Sequence, residues 1–315
     1  MQIAMTTAFS PSSKPVELSG TTGKIYPNVS LAPHTSYRVG GQARWYAAPR
    51  NWDELQGTFE WFQKQDMPLM LLGAGSNLLI SDRGIEGLVL STRYLRHRRF
   101  DEETGRITVA AGQPIVSVAW QAAKRGWRGL EWAVGIPGTV GGAVVMNAGA
   151  HNQCAADCLV SAVVVSPDGK VETLTPEDLN YSYRTSALQG GQRLVIEATF
   201  QLQPGFSREA VTATTQDNLW KRKSSQPYDK PSCGSVFRNP TPYAAGWLIE
   251  QLGLKGYRVG DAEVSQRHAN FILNCGQAKA QDIFRLIHHV QEKVQGHWSL
   301  LLEPEVKILG EFSTL

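Results

Sequence analysis

Sixteen residues from Gly135 to Ala150, GIPGTVGGAVVMNAGA, carry five glycines amid apolar side chains: Gly135, Gly138, Gly141, Gly142 and Gly149. Each costs order in a helix or strand. Such a run is kept where bare backbone must approach a bulky group and its N–H groups are wanted as donors. A second segment, LLGAGSNLL at 71–79, follows the apolar run Leu69 to Leu72 and puts Gly73, Ala74, Gly75, Ser76, Asn77 and Leu78 in a phosphate-sized loop. It is a poor dinucleotide fingerprint, because the third glycine of G-x-G-x-x-G would fall on Leu78 and no suitably placed acid follows about 20 positions on. Together the segments predict two loops clasping the pyrophosphate of one nucleotide cofactor, with Ile136, Pro137 and Asn147 contributing from the second. A packed glycine turn and an ordinary strand-to-helix turn are the structural alternatives.

Other chemistry is harder to place. Cys154, Cys158, Cys233 and Cys275 lack the spacing and the histidine partners of a zinc site, and read as reduced thiols of a cytoplasmic protein. The pair His288-His289 sits in a helical pattern that suits rim positions, so no metal is expected. A net charge of +3 does not suggest nucleic acid, and the cluster Arg93, Arg96, Arg98 and Arg99 reads as a solvated connector. No apolar run approaches the roughly 18 residues of a membrane span. The N-terminus reads as a mobile leader over 1–24, without the features of a signal peptide.

The elements that must position the loops follow from periodicity. Leu55, Phe59 and Phe62 share a helical face, and a strand at Leu69 to Leu72 comes next. Ile107 and Val109 alternate as in a strand. Pro114 then starts a helix with Val116, Ala119, Trp120 and Ala123 on one face and Gly126 past its end. Val163 to Val165 and Val171 to Leu174 flank Pro167-Asp168-Gly169 as a hairpin, and Leu194, Ile196, Ala198 and Phe200 alternate. Near Pro204-Gly205 the pattern changes to a separate α+β unit. There Ala245, Leu248, Ile249 and Leu252 form one helical face ended by Gly253, and Ile283, Leu286, Ile287, Val290 and Val294 another ended by Gly296. A last strand is predicted over about 300–309. The fold class is mixed α/β, with 315 residues and 42% hydrophobic content enough for two or three domains.

The order HTSYRVGGQA (34–43), LLGAGSNLL (71–79), GIPGTVGGAVVMNAGA (135–150), YSYRTS (181–186), CGSVFRNP (233–240), AGWLIEQLGLKG (245–256), HANFI (268–272) and LEPEVKILG (302–310) resembles the UDP-N-acetylenolpyruvoylglucosamine reductase (MurB) family. The resemblance covers about 31–310. It implies a two-part FAD-binding module of the vanillyl-alcohol-oxidase type over 30–205 (subdomains about 30–98 and 99–205), followed by an α+β substrate-binding domain over 206–315. It also implies non-covalent FAD, NADPH as co-substrate, and reduction of UDP-N-acetylenolpyruvoylglucosamine to UDP-N-acetylmuramate by a cytoplasmic monomer making peptidoglycan precursor.

The family's proton-donating serine falls on Ser235, its arginine on Arg184 and its carboxylate on Glu305. Each type suits the chemistry. Hydride addition to an enolpyruvyl group drives charge into the carboxylate, which a bidentate arginine stabilises. A serine hydroxyl can protonate the resulting strongly basic carbon without prior activation. Read without the family, Ser235 is a turn serine bonded to its own backbone, Arg184 a surface cation, and Glu305 solvated charge alternating with Glu303 and Lys307 on a strand face.

Tyr183 and Asn239 are expected to bind substrate, with Lys223 among the nearby cations Lys221, Arg222 and Lys223. The lysine that contacts the nucleotide in some members is replaced near Gln226-Pro227. After NAGA this chain continues His151, Asn152, Gln153, Cys154, where many members carry an aromatic and a glycine. The spacing from Arg184 to Ser235, 235 − 184 = 51 positions, suits the shorter class without the tyrosine-bearing excursion. Two other readings use the same module. A covalent flavin oxidase would present a histidine or cysteine near the first loop, where GAGSNLL has neither, and a non-catalytic nucleotide-binding protein need not keep Ser235, Arg184 and Glu305 together.

Overall fold

The computed structural model describes residues 14–313. Residues 1–13 of the predicted leader lie outside the described residues. The rest of it is not free: Val16–Glu17 pairs with Ile25 and Lys24 at the edge of a sheet, and Leu18 is buried.

That first sheet has the order Val16–Glu17, Lys24–Ser30, Gln42–Ala47, Ile85–Ser91, Leu69–Leu72, and its last three strands are mutually parallel. Helix α1 (Trp52–Phe62) crosses between the parallel strands Gln42–Ala47 and Leu69–Leu72. The Asn51 side chain caps it by accepting from the Glu54 N–H. Its buried face is the predicted one, Leu55, Phe59 and Phe62, packed with Ile25, Leu88 and Leu90 of the sheet.

The second sheet is antiparallel, in the order Val171–Leu174, Leu159–Val165, Leu194–Gln201, Arg106–Ala110, Arg98–Asp101, and contains the predicted hairpin. Helices α2 (Ile115–Ala123) and α3 (Val140–Val145) cover it, with Trp132 and Phe200 buried in the shared core. Pro114 is the N-cap of α2 and Gly126 takes a positive φ just past its end. The buried stripe is Ile115, Val118, Ala119, Ala122 and Ala123, so Val116 and Trp120 are only half-buried, contrary to expectation. In so apolar a nine-residue helix, two adjacent stripes satisfy the same periodicity.

Helix α4 (Arg208–Ser225) was not anticipated. It buries only Val211 and Thr215, and packs on α2 and the 3-10 turn Glu131–Gly135. The remainder combines helices α5 (Ala245–Gln251) and α6 (Ala280–Trp298) with a three-stranded sheet, Arg258–Val259, Ala262–Val264, Ile272–Asn274. All five predicted core residues of α6 are buried. Gly296 does not end α6; the helix runs on to Trp298 and stops at Ser299, which adopts the left-handed conformation (φ 52°). The predicted long last strand shrinks to Lys307–Leu309, paired in parallel with Leu78–Ile80 of the N-terminal region. Tyr37, Val39 and Leu79 join the core around α6, so the C-terminal unit shares its core with the N-terminal one.

Candidate active site

The two glycine loops meet. Ser76 Oγ donates to the Pro137 carbonyl (2.8 Å), and a Cβ on Gly73 would lie 2.8 Å from Thr139 Oγ1. Both line a cavity of about 850 Å³ between the glycine-loop module and the C-terminal unit. Most of the glycines, however, admit protein rather than ligand. A side chain on Gly75 would strike the His34 carbonyl, on Gly135 the Arg222 stem, on Gly141 the Ala111 side chain and on Gly149 the Gln153 carbonyl. Gly142 is the open one, with nothing nearer than Thr139 Oγ1 at 3.5 Å.

The loops fit a dinucleotide pyrophosphate by their donors. The backbone N–H groups of Ala74, Gly75, Ser76, Asn77, Gly138 and Thr139 have no acceptor among the described residues. All six residues line the cavity, and such a concentration of unspent donors suits phosphate oxygens. Gly73, Leu78, Ile136, Pro137, Gly141, Gly142 and Gly149 are also in the lining. Gly135 and Asn147 are not. Asn147 is buried behind the second loop, where its amide donates to the Ser182 carbonyl (3.0 Å) and accepts from the Ala156 N–H (3.1 Å). It thereby ties the loop to the turn that carries Arg184.

That turn closes by reciprocal bonds between Ser182 and Thr185 (3.2 and 3.1 Å) and holds Arg184 at φ 56°. The Arg184 guanidinium donates through Nε to Glu305 (3.1 Å) and through NH2 to the Gly149 carbonyl (2.7 Å). The side chains of Arg184 and Glu305 are only 21% and 16% exposed, which rules out the surface-cation and solvated-strand readings. Glu305 differs from Glu303, whose side chain is 75% exposed, because Pro304 only bridges to Phe237 and the regular strand starts at Lys307. Burial raises the Glu305 carboxyl above the ordinary glutamate value, opposed first by the adjacent Arg184 and then by Arg238 and Arg222.

Ser235 lines the same cavity, two residues after Cys233, whose thiol packs on the Leu78 carbonyl (3.2 Å). Gly234 turns the chain at φ 78°. The Ser235 hydroxyl makes no hydrogen bond among the described residues, so it is not a turn serine occupied by its own backbone. The segment after it is fixed: Glu305 N–H donates to the Val236 carbonyl (2.7 Å), and the Asn270 side chain both accepts from Phe237 N–H (2.9 Å) and donates to its carbonyl (2.8 Å). The first glycine loop reaches the same place, since Asn77 Nδ2 donates to the Glu305 carbonyl (3.1 Å).

Tyr183, half-exposed beneath the Arg184 guanidinium (4.9 Å), and Asn239 are also in the lining. Lys223 is not: it is exposed on α4, one position beyond the lining residues Lys221 and Arg222. Helical geometry turns each successive residue by about 100°, so only part of the run KRK can face one cavity. Lys307, Gln189 and His151 are further lining residues that the sequence did not single out. Burial, aided by Arg222, lowers the basicity of His151. Lys307 lies inside LEPEVKILG, two residues after Glu305, and His151 follows NAGA directly.

Comparison with known proteins identifies the family. Residues 226–309 match the family model for the UDP-N-acetylenolpyruvoylglucosamine reductase C-terminal domain, and residues 43–175 match an FAD binding domain. The chain is similar to the UDP-N-acetylenolpyruvoylglucosamine reductase of Synechocystis sp., 67% identical over 300 residues (95% of each chain), and to that of Trichormus variabilis, 63% identical (95% of this chain, 91% of the relative). The crystal structure of the enzyme from Thermus caldophilus superimposes with a TM-score of 0.78 at 35% identity, covering 91% of this chain and all of that one. With relatives of such identity and coverage, and with both domain models matched in order along the chain, the conclusion is direct: the chain belongs to the UDP-N-acetylenolpyruvoylglucosamine reductase family, the FAD-dependent oxidoreductases of peptidoglycan precursor synthesis.

Proposed function

We propose that the protein uses NADPH to reduce UDP-N-acetylenolpyruvoylglucosamine to UDP-N-acetylmuramate, with Ser235 as proton donor. The observation that carries this reading is the convergence of an unengaged hydroxyl, a buried arginine–glutamate pair and the glycine loops on one cavity. FAD, when bound, supplies two-electron chemistry: hydride accepted from NADPH and delivered from flavin N5 to the enolpyruvyl carbon remote from the carboxylate.

The chain's own residues handle the charge and the proton. Arg184 uses two of its five donors on Glu305 and Gly149, which leaves three for the substrate carboxylate as negative charge builds there. Glu305 holds the Arg184 guanidinium through Nε and so aims its remaining donors at the same carboxylate. The Ser235 O–H gives its proton to the adjacent carbon, completing addition of H⁻ and H⁺ across the double bond. Tyr183 and Asn239 contact the sugar nucleotide, and Lys221 and Arg222, rather than Lys223, face its diphosphate. A UDP-linked substrate and NADPH both belong to the cytoplasm, where the protein acts as a monomer. Among the described residues no helix is long and apolar enough to cross a membrane.

The test is substrate-dependent oxidation of NADPH by the purified holoprotein, with the product identified by mass as the two-hydrogen adduct of the enolpyruvyl nucleotide. NADPH oxidation that needs only dioxygen, with no adduct, would count against it.

A further inference from the structure

Arg184 must sit in one place relative to Ser235, yet the two belong to different units of the chain, and neither contacts the other's segment through its own side chain. Arg238 makes that connection. It lies three residues after Ser235, and its backbone N–H is fixed by the Glu303 carbonyl (2.9 Å). Its guanidinium NH2 reaches across to the Arg184 carbonyl (3.3 Å) and to Thr185 Oγ1 (3.3 Å). The same carbonyl accepts from Gln189 Nε2 (2.9 Å), so two side chains anchor the residue whose backbone is held in the left-handed region. That conformation is disfavoured for a residue with a Cβ and persists only when its surroundings over-determine it.

Arg238 is absent from the cavity lining among the described residues, so it acts on the reaction through Arg184 and not by touching substrate. Its ion pair with Glu303 does not explain its place: the separation is 3.8 Å and the Glu303 side chain is 75% exposed, a geometry that contributes little.

We infer that Arg238 is a positioning residue that locks the Arg184 turn to the Ser235 segment, so that the carboxylate clamp and the proton donor close on the same enolpyruvyl group. The inference rests on the function proposed above. It predicts an effect on one half of the catalytic cycle only, because reduction of the flavin by NADPH needs neither group.

The test is stopped-flow flavin absorbance of the Arg238→Met holoenzyme in each half-reaction. Reoxidation by the enolpyruvyl nucleotide is expected to slow by about 10- to 100-fold at saturating substrate, with reduction by NADPH within about twofold of wild type. Glu303→Gln should match wild type in both. Equal rates for Arg238→Met and wild type, or equal slowing of both halves, would overturn the inference. If Arg238→Met cannot be obtained with its flavin, Arg238→Gln, which keeps one N–H for the Arg184 carbonyl, carries the same test: a selective but smaller slowing supports the inference and an unsplit effect overturns it. A wild-type enzyme whose reduced flavin ignores the nucleotide would instead sink the proposed function, so the two failures are distinguishable.

Discussion

At the scale of single residues, the site turns on a hydroxyl with no other engagement. In the proposed reaction Ser235 is needed only after hydride has moved and a carbanion-like centre has formed. Ser235→Ala should therefore leave flavin reduction by NADPH within a few-fold while reoxidation by substrate slows by about 10²-fold or more, and Ser235→Cys should recover part of the loss. Stopped-flow measurement of the separate half-reactions decides this, and unaltered reoxidation would remove Ser235 as the donor. Glu305 carries a second consequence. Burial holds its folded-state pKa above the ordinary glutamate value, so the folded protein binds this proton more tightly than the unfolded chain does. The stability it contributes is present below the unfolded pKa and is lost as pH rises through the folded one. Glu305→Gln should then melt higher than wild type at neutral pH, with the gap closing as pH falls through the folded pKa and gone below about 4.5; a lower melting temperature at neutral pH would show that the ionised pair with Arg184 is net stabilising. Ser235, Arg184 and Glu305 were legible only through the order of motifs. On type alone, Glu305 was indistinguishable from Glu303, since nothing in the alternation of charges says that the regular strand begins only at Lys307. Lys223 shows the same limit: a run of three cations does not say which of them a helix turns inward.

At the scale of elements, periodicity placed α1, α6 and the strands Arg106–Ala110 and Leu194–Gln201 because their apolar residues recur toward the core, whereas Ile85–Ser91, buried over five consecutive residues, has no such alternation. Helix α4 escaped because it buries only two of its eighteen residues and owes its position to contacts with α2 and the 131–135 turn. The glycine loops were located correctly, but the reason for most of their glycines was protein packing, which the sequence could not separate from ligand approach. The distinction is testable. Gly142→Ala meets nothing closer than 3.5 Å, so the fold should tolerate it while FAD affinity falls; Gly75→Ala runs into the His34 carbonyl and should lower both. FAD titration and thermal melting of the two variants settle it, and unchanged FAD affinity in Gly142→Ala would mean that backbone at this position does not approach the cofactor. In α6, Leu286→Ala removes a fully buried side chain and should cost about 2–5 kcal/mol in denaturant unfolding. A cost under 1 kcal/mol would mean that the site collapses around the cavity.

At the scale of the whole molecule, the C-terminal unit is tied into the first glycine loop. Lys307–Leu309 extends the backbone after that loop, Lys307 N–H donates to the Asn77 carbonyl (3.0 Å), and Asn77 in turn holds the Glu305 carbonyl. The first glycine loop and the segment carrying Glu305 are thus built as one piece across the cleft. Both glycine loops are committed to this one cavity, so NADPH and the enolpyruvyl nucleotide should take turns in it. Parallel initial-rate lines and inhibition by excess nucleotide are the expected kinetics, and intersecting lines would point to separate sites. The most direct measurement is an anaerobic single turnover: the holoenzyme is bleached with one equivalent of NADPH and then mixed with UDP-N-acetylenolpyruvoylglucosamine. The flavin colour is predicted to return without dioxygen, together with one equivalent of UDP-N-acetylmuramate. A flavin that stays bleached until air is admitted would contradict the account.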